Sequence, residues 1–193
     1  MRIVILLDKS GSMDENKEQT IAGYNGFLES QKQLENSEKC LVSLYTFSNN
    51  VETVYENVLL SEATNLTLEN YQPDGNTALY DSMADVLSKI ADNERTIFLI
   101  ITDGAENSSE HYNNINIREM IENKKEFMES VYIGSNQDAI LAGNEIGSQI
   151  SINYNDNNTP QVYKNLSAAM TRIRTGFSPQ VEFTQDEIHS LIE

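Results

Sequence analysis

Three apolar runs punctuate the chain: Ile3 to Leu7, Thr96 to Ile101 and Val131 to Ile133. The first two carry Ile, Leu, Val or Phe without polar alternation, as strands covered by helices on both faces do, so they predict the buried strands of a parallel sheet. A fourth run, Cys40 to Phe47, alternates: Leu41, Ser43, Tyr45 and Phe47 share one face, and Val42, Leu44 and Thr46 the other. Ser48-Asn49-Asn50 then turns the chain into a further strand over Val51 to Leu60. Two strands joined by so short a polar turn form a hairpin, which puts one antiparallel strand at the sheet edge.

Helical spacing fills the intervals between strands. Ile21, Tyr24, Leu28 and Leu34 lie on one stripe of Glu15 to Leu34, and Leu79, Met83, Val86, Leu87 and Ile90 on one stripe of Ala78 to Ile90. Ile117 to Phe127 reads as a polar surface helix with Met120 and Ile121 inward, and Gln137 to Ile146 as a short one. A helix is expected from Thr159 to Thr175, with Thr159 as its cap and Pro160 in its first turn. Thr184 and Glu187 form a capping box for a last helix ending at Ile192. The Asn-rich stretch Asn153 to Asn158 is the longest expected linker. Strands alternating with helices predict an α/β fold: a Rossmann-like, doubly wound, mostly parallel sheet with one antiparallel edge strand and helices on both faces.

Composition narrows the function. With 13 basic against 30 acidic residues the net charge is -17, which repels phosphate backbones and anionic bilayers, so neither nucleic acid nor a membrane is an expected partner. Cys40 is the single cysteine, so no internal disulfide is possible. With only His111 and His189 besides it, a Cys/His zinc cluster lacks ligands. Cys40 itself is expected as a small buried apolar residue. The five apolar residues before Asp8 are too few for a signal peptide or a span, which points to the cytoplasm.

Two of the buried strands end in aspartate: Ile3 to Leu7 runs into Asp8, and Thr96 to Ile101 passes through Thr102 into Asp103. In open parallel sheets ligands bind at the carboxyl ends of the strands, so neighbouring strands would bring both carboxylates into one crevice. Beside Asp8, Ser10 and Ser12 offer hydroxyls from a turn that Gly11 keeps tight, and Thr77 offers another at the start of a helix, after Asp74-Gly75-Asn76. Asp8, Ser10, Ser12, Thr77 and Asp103 are all oxygen donors, the set preferred by a hard cation such as Mg²⁺. Neutral hydroxyls leave such an ion under-neutralised and able to accept one more carboxylate from outside. Each residue also has an ordinary use, since Asp closes strands and Ser and Thr cap helices; the coincidence of three elements favours the metal site.

Asp8-x-Ser10-Gly11-Ser12, the distant Thr77, and Asp103-Gly104 at the end of an apolar strand together resemble the metal-ion-dependent adhesion site of von Willebrand factor A domains. The strings Gly75 to Asp81 and Ile100 to Gly104 are similar to that family as well, and the likeness covers about residues 1 to 175. It implies that the two serines and the threonine bind the metal directly or nearly so, and that the aspartates act directly or through water. It implies Mg²⁺, with Mn²⁺ or Ca²⁺ as alternatives, and a protein partner that presents Asp or Glu. Two positions depart from the pattern: Asn76 stands where glycine is commoner, and Lys9, inside the first motif, is expected to damp the negative potential of the site.

The resulting expectation is a non-enzymatic, metal-dependent interaction module over residues 1–175, with a C-terminal extension over 176–193 that carries a short helix and packs on the domain. The oligomeric state stays open. One alternative is a small anionic ligand or nucleotide held in the same metal crevice, although no GxGxxG or GxxxxGK[ST] motif follows a strand. A less favoured one is a Mg²⁺-dependent phosphatase of the haloacid dehalogenase type with Asp8 as nucleophile, which wants an aspartate where Ser10 stands. An EF-hand fails because Met13 and Gln19 occupy the glycine and glutamate positions. The loop Glu106 to Asn114, with His111, and the segment Ser135-Asn136-Gln137 are candidate rims of the crevice.

Overall fold

The computed structural model describes residues 1–135 and 139–191. Six strands, β1 (Arg2–Asp8), β2 (Leu41–Phe47), β3 (Val51–Leu59), β4 (Thr96–Thr102), β5 (Met128–Ser135) and β6 (Ile150–Tyr154), form one sheet in the order β3-β2-β1-β4-β5-β6. All neighbours are parallel except β2 and β3, whose hairpin makes β3 the antiparallel edge. The expected fold class is thus the observed one. Helices α1 (Lys17–Lys32) and α5 (Thr159–Arg174) cover one face, and α2 (Leu79–Lys89) and α3 (Asn114–Lys124) the other; α4 (Ala139–Glu145) and α6 (Gln185–His189) are short.

Strand alternation divides the core. Ile3, Ile5 and Leu7 of β1, with Ile97, Leu99 and Ile101 of β4, pack against Tyr24, Leu28, Leu166 and Met170. Val4 and Leu6, with Phe98 and Ile100, pack against Leu79, Met83, Val86 and Ile117. Both faces of these strands are buried, which explains their unbroken apolar runs. The same alternation places Asp8 and Thr102 on the α2 face, and β1 pairs with β4 in register, so the two residues meet at the top of the sheet. Strand order reverses there: from β1 the sheet grows through β2 one way and through β4 the other, opening a crevice at the carboxyl ends.

Three local expectations are corrected. β6 is a strand where the sequence reading placed a linker at Asn153, because Ile150-Ser151-Ile152-Asn153-Tyr154 alternates as an edge strand with only Ile152 and Tyr154 fully covered. The cap of α5 is Asn158, and Thr159 is already helical, with Pro160 in the first turn. The last helix stops at His189, and the expected end at Ile192 lies outside the described residues, as do Asn136 and Gln137.

The segment after α5 returns along the molecule. The Val181 N–H donates to Glu129 Oε2 at 2.8 Å, and Asn165 Nδ2 donates to the Glu187 carbonyl at 2.8 Å. Glu187 accepts both Arg172 amino groups at 2.9 and 2.7 Å while closing a capping box with Thr184. Val181 and Leu191 join the core beneath α5, whereas Phe177 stays exposed. No helix among the described residues is long and apolar enough to cross a membrane.

Candidate metal centre

Asp8, at the end of β1, is fully buried. Its Oδ1 accepts the Ser10 N–H at 2.6 Å, and its Oδ2 accepts the Thr102 hydroxyl. The Tyr71 hydroxyl donates to the Asp8 carbonyl at 2.6 Å, fixing the backbone where the strand becomes the loop. Burial pushes the Asp8 carboxyl up to about 6; the bonds from Thr102 and Ser10 pull it down, and the Asp103 charge pushes it further up.

The loop after β1 wraps back over the crevice. Ser10 starts a short 3-10 turn, Gly11–Asp14, yet its side chain caps nothing; its hydroxyl lies 3.2 Å from that of Ser12. Ser12 in turn donates to Asp103 Oδ1 at 2.6 Å. The Gly11 N–H donates to the Gly75 carbonyl at 3.0 Å, and the Asp74 N–H to the Lys9 carbonyl at 2.9 Å, so the first and second motif segments are stitched together by backbone. Gly75 has φ +82°, a left-handed turn that glycine makes without strain. Lys9 points away, its ammonium 2.6 Å from Glu52 on β3, so the expected damping charge is engaged at the sheet edge.

Thr77 is 2% exposed and lies outside α2, whose cap is Ala78, so its hydroxyl is not spent on capping. Its placement is set by the third segment. The Thr77 N–H donates to Asn107 Oδ1 at 2.9 Å, and the Asn107 N–H returns to the Thr77 carbonyl at 3.1 Å. A Cβ built on Gly104 would stand 3.0 Å from Thr77 Oγ1 and 3.6 Å from Ser12 Oγ. The missing side chain at Gly104 therefore leaves a small space faced by both hydroxyls, next to Asp103. All five sequence-expected residues meet at this one place, although β1, the 74–77 segment and β4 are far apart in the chain.

Sequence reasoning passed over the residues that hold this set in place: Thr102, Tyr71, Asn107, Glu106 and Asp81. Glu106 accepts the N–H groups of Ser108, Ser109 and, across the gap, Tyr80 at 2.8, 2.7 and 2.9 Å. Asp81 accepts those of Glu110, His111 and Tyr112. Burial works to raise the Asp81 carboxyl, but these three donors prevail and hold it below its ordinary value. The loop after Asp103 is thereby fastened to the start of α2, with His111 exposed on it. Thr102 and Asp81 lay inside the strings that resemble the family but had no role assigned; for Tyr71, Asn107 and Glu106 the only signal was proximity to the motifs, since a bond to a distant partner leaves no periodic trace.

The donor chemistry fits a hard divalent ion. The set holds two carboxylates and three hydroxyls, all oxygen, around a space that a methyl group would fill. Among the described residues, no three His, Cys, Asp or Glu side chains gather closely enough to hold an ion by themselves, so the hydroxyls are integral to any site here.

An open, mostly parallel sheet with an oxygen-lined crevice at its reversal point is an α/β fold of the Rossmann-like class. Residues 3–169 match the model of the von Willebrand factor type A domain, and the chain belongs to that family. Its structure is similar to proximal thread matrix protein 1 from the mussel byssus, with TM-score 0.65, 14% identity, and coverage of 88% of this chain and 47% of that one. A second structure of that protein, equally similar, has a zinc-occupied MIDAS motif. It also resembles the ArnB paralog VWA2 from Sulfolobus acidocaldarius, with TM-score 0.57, 21% identity, and coverage of 88% of this chain and 44% of that one. BatB from Bacteroides thetaiotaomicron matches with TM-score 0.57 at 13% identity, over 91% of this chain and 99% of that one. The chain spans less than half the length of the first two. No curated protein is similar to it in sequence.

Proposed function

We propose that this domain is a divalent-metal-dependent protein-interaction module. Ser10, Ser12 and Thr77 supply neutral oxygens, Asp8 and Asp103 supply charge, and an Asp or Glu of a protein partner completes the coordination. The observation that carries the reading is the meeting of Ser12, Thr77 and Asp103 around the space beside Gly104, with Asp8 buried behind them. A bound Mg²⁺ would supply Lewis acidity toward an external carboxylate, because hydroxyl ligands leave its charge incompletely neutralised. The protein's part is to hold the oxygens without further rearrangement. The bonds of Ser10 and Thr102 to Asp8, and of Asn107 to Thr77, do this. The zinc-occupied motif of the byssus protein supports such a role for this fold.

A binding role suits the site better than a phosphatase. Both oxygens of Asp8 already accept hydrogen bonds, and Ser10, where a general acid/base would stand, offers only a hydroxyl.

The test is calorimetric titration of Mg²⁺ and Mn²⁺ into metal-stripped protein, for wild type and Asp8→Ala in parallel, with and without acetate as carboxylate probe. A saturable site that acetate strengthens and the variant loses is the expected result. Absence of any divalent binding, with or without acetate, would sink the proposal.

A further inference from the structure

Three junctions in the chain set an aspartate or asparagine before a glycine: Asn25-Gly26, Asp74-Gly75 and Asp103-Gly104. Such a junction can close on itself. The glycine amide nitrogen attacks the side-chain carbonyl carbon, Cγ, and no side chain on the glycine shields that nitrogen. Whether the ring closes in a folded protein depends on how the fold holds the two reacting groups.

Two of the three junctions are held against it. Asn25 lies inside α1, where the helix fixes the Gly26 nitrogen. Its side chain is spent at both ends on Leu66, Nδ2 donating to the carbonyl at 2.9 Å and Oδ1 accepting the N–H at 2.8 Å. Asp103 is 5% exposed, its Oδ1 accepts the Ser12 hydroxyl, and the Gly104 N–H is turned to the Thr102 hydroxyl at 3.1 Å. Asp74 differs on each count. Asp74 and Gly75 are exposed and lie outside any helix or strand. The Gly75 N–H donates to Asp74's own Oδ1 at 2.8 Å and, among the described residues, to nothing else. The nucleophile is already folded against its carboxyl group, and no bond to another part of the chain has to break first.

We propose that Asp74-Gly75 is a site of spontaneous isomerisation to isoaspartate in the folded protein. The Gly75 nitrogen bonds to Asp74 Cγ, and the nitrogen's proton leaves with the carboxyl hydroxyl as water, giving a succinimide. Water then opens the ring at either carbonyl. Opening at Cγ restores aspartate. Opening at the main-chain carbonyl leaves the Cγ–N bond in the chain and frees the α-carboxyl group, with no net change in mass. The main chain is then longer by one C–C bond, about 1.5 Å. The Asp74 N–H, bound to the Lys9 carbonyl, and the Gly75 carbonyl, bound to the Gly11 N–H, flank the insertion, so the two ties cannot both keep their present register. The consequence for function, weaker metal binding, rests on the reading above that Thr77, two residues further on, holds the ion.

The experiment holds the folded chain warm at neutral pH for several weeks, beside a sample in denaturant and the variant Asp74→Glu, whose longer side chain closes a ring far more slowly. Peptide mapping with electron-transfer fragmentation reads the linkage, because only isoaspartate has its Cα–Cβ bond in the main chain. Folded protein should carry at least about tenfold more isoaspartate at position 74 than at position 25 or 103, whereas in denaturant Asn25 should react first. The modified fraction should bind Mg²⁺ about tenfold or more weakly than fresh protein, and aged Asp74→Glu as fresh. Folded protein with no isoaspartate at position 74, or with as much at position 25 or 103, overturns the proposal. Unchanged metal affinity in the modified fraction overturns its functional consequence. Fresh protein that binds no metal while position 74 isomerises counts against the metal reading alone, since the linkage is read without metal.

Discussion

Asn107 and Thr77 hold each other by a reciprocal pair of hydrogen bonds, the Thr77 N–H to Asn107 Oδ1 at 2.9 Å and the Asn107 N–H to the Thr77 carbonyl at 3.1 Å. One side chain thus ties the loop after β4 to the hydroxyl donor that precedes α2. Neither residue is held by regular secondary structure, so the spacing of Thr77 from Asp103 depends on this pair and on the loop's other anchors.

Asn107→Ala leaves the Thr77 N–H without its acceptor. A loss of about 1 kcal/mol in stability is expected, with divalent-metal affinity down about tenfold or more, as for residues that orient ligands without touching the ion. Asn107→Asp keeps the acceptor and should recover most of the affinity. Chemical denaturation and calorimetry on the three proteins check this, and an alanine variant with unchanged metal affinity would remove Asn107 from the site.

Asp8 makes the site pH-dependent. Its carboxyl is raised by burial from an ordinary 3.8 to about 6 in the folded, metal-free chain. The folded state therefore binds the extra proton between those values, and stability falls as pH rises through that window. Metal-free wild type should lose on the order of 2 kcal/mol between pH 4 and pH 7 relative to Asp8→Asn, which removes the group. Metal binding runs the other way. Protons compete for Asp8, so apparent Mg²⁺ affinity should drop as pH falls below about 6. Unfolding curves and calorimetry across pH 4 to 8 test both signs.

Gly104→Ala puts a methyl group 3.0 Å from Thr77 Oγ1 and 3.6 Å from Ser12 Oγ, inside the space both hydroxyls face. Gly104 is not in the left-handed region, so the backbone tolerates the change. The expected outcome is a fold within about 1 kcal/mol of wild type and metal affinity lower by about tenfold or more. A variant that binds metal as wild type does would show that the ion, if any, sits elsewhere.

Gly23→Ala tests the α1–α5 contact. A Cβ there would fall within the Tyr163 ring, 2.3 Å from its Cδ2, so the ring would have to shift from its packed position, where it is 3% exposed. Overpacking of this kind costs about 1 to 3 kcal/mol, read as a lowered denaturation midpoint with unchanged slope. Metal binding should survive, since the contact lies on the opposite face of the sheet from α2.

Much of this molecule was legible in the chain itself. The unbroken runs of β1 and β4 gave away strands buried on both faces, and the Ser48-Asn49-Asn50 turn gave the antiparallel edge, because periodicity and turn chemistry are local. Asp8 and Asp103 could be picked out because each follows an apolar strand at the sheet's carboxyl edge, and Ser10, Ser12 and Thr77 because they complete a spaced set of oxygen donors with them. β6 escaped because an edge strand of five residues with two polar positions reads like a loop. Only the tertiary structure decided that Ser10 caps nothing and that Lys9 pairs with Glu52. It alone tied Asn107 to Thr77, Thr102 to Asp8, and Asp81 and Glu106 to the rim loop. These bonds join segments about 26 to 94 residues apart, and partners at that range are fixed by strand order and packing, which no local pattern encodes.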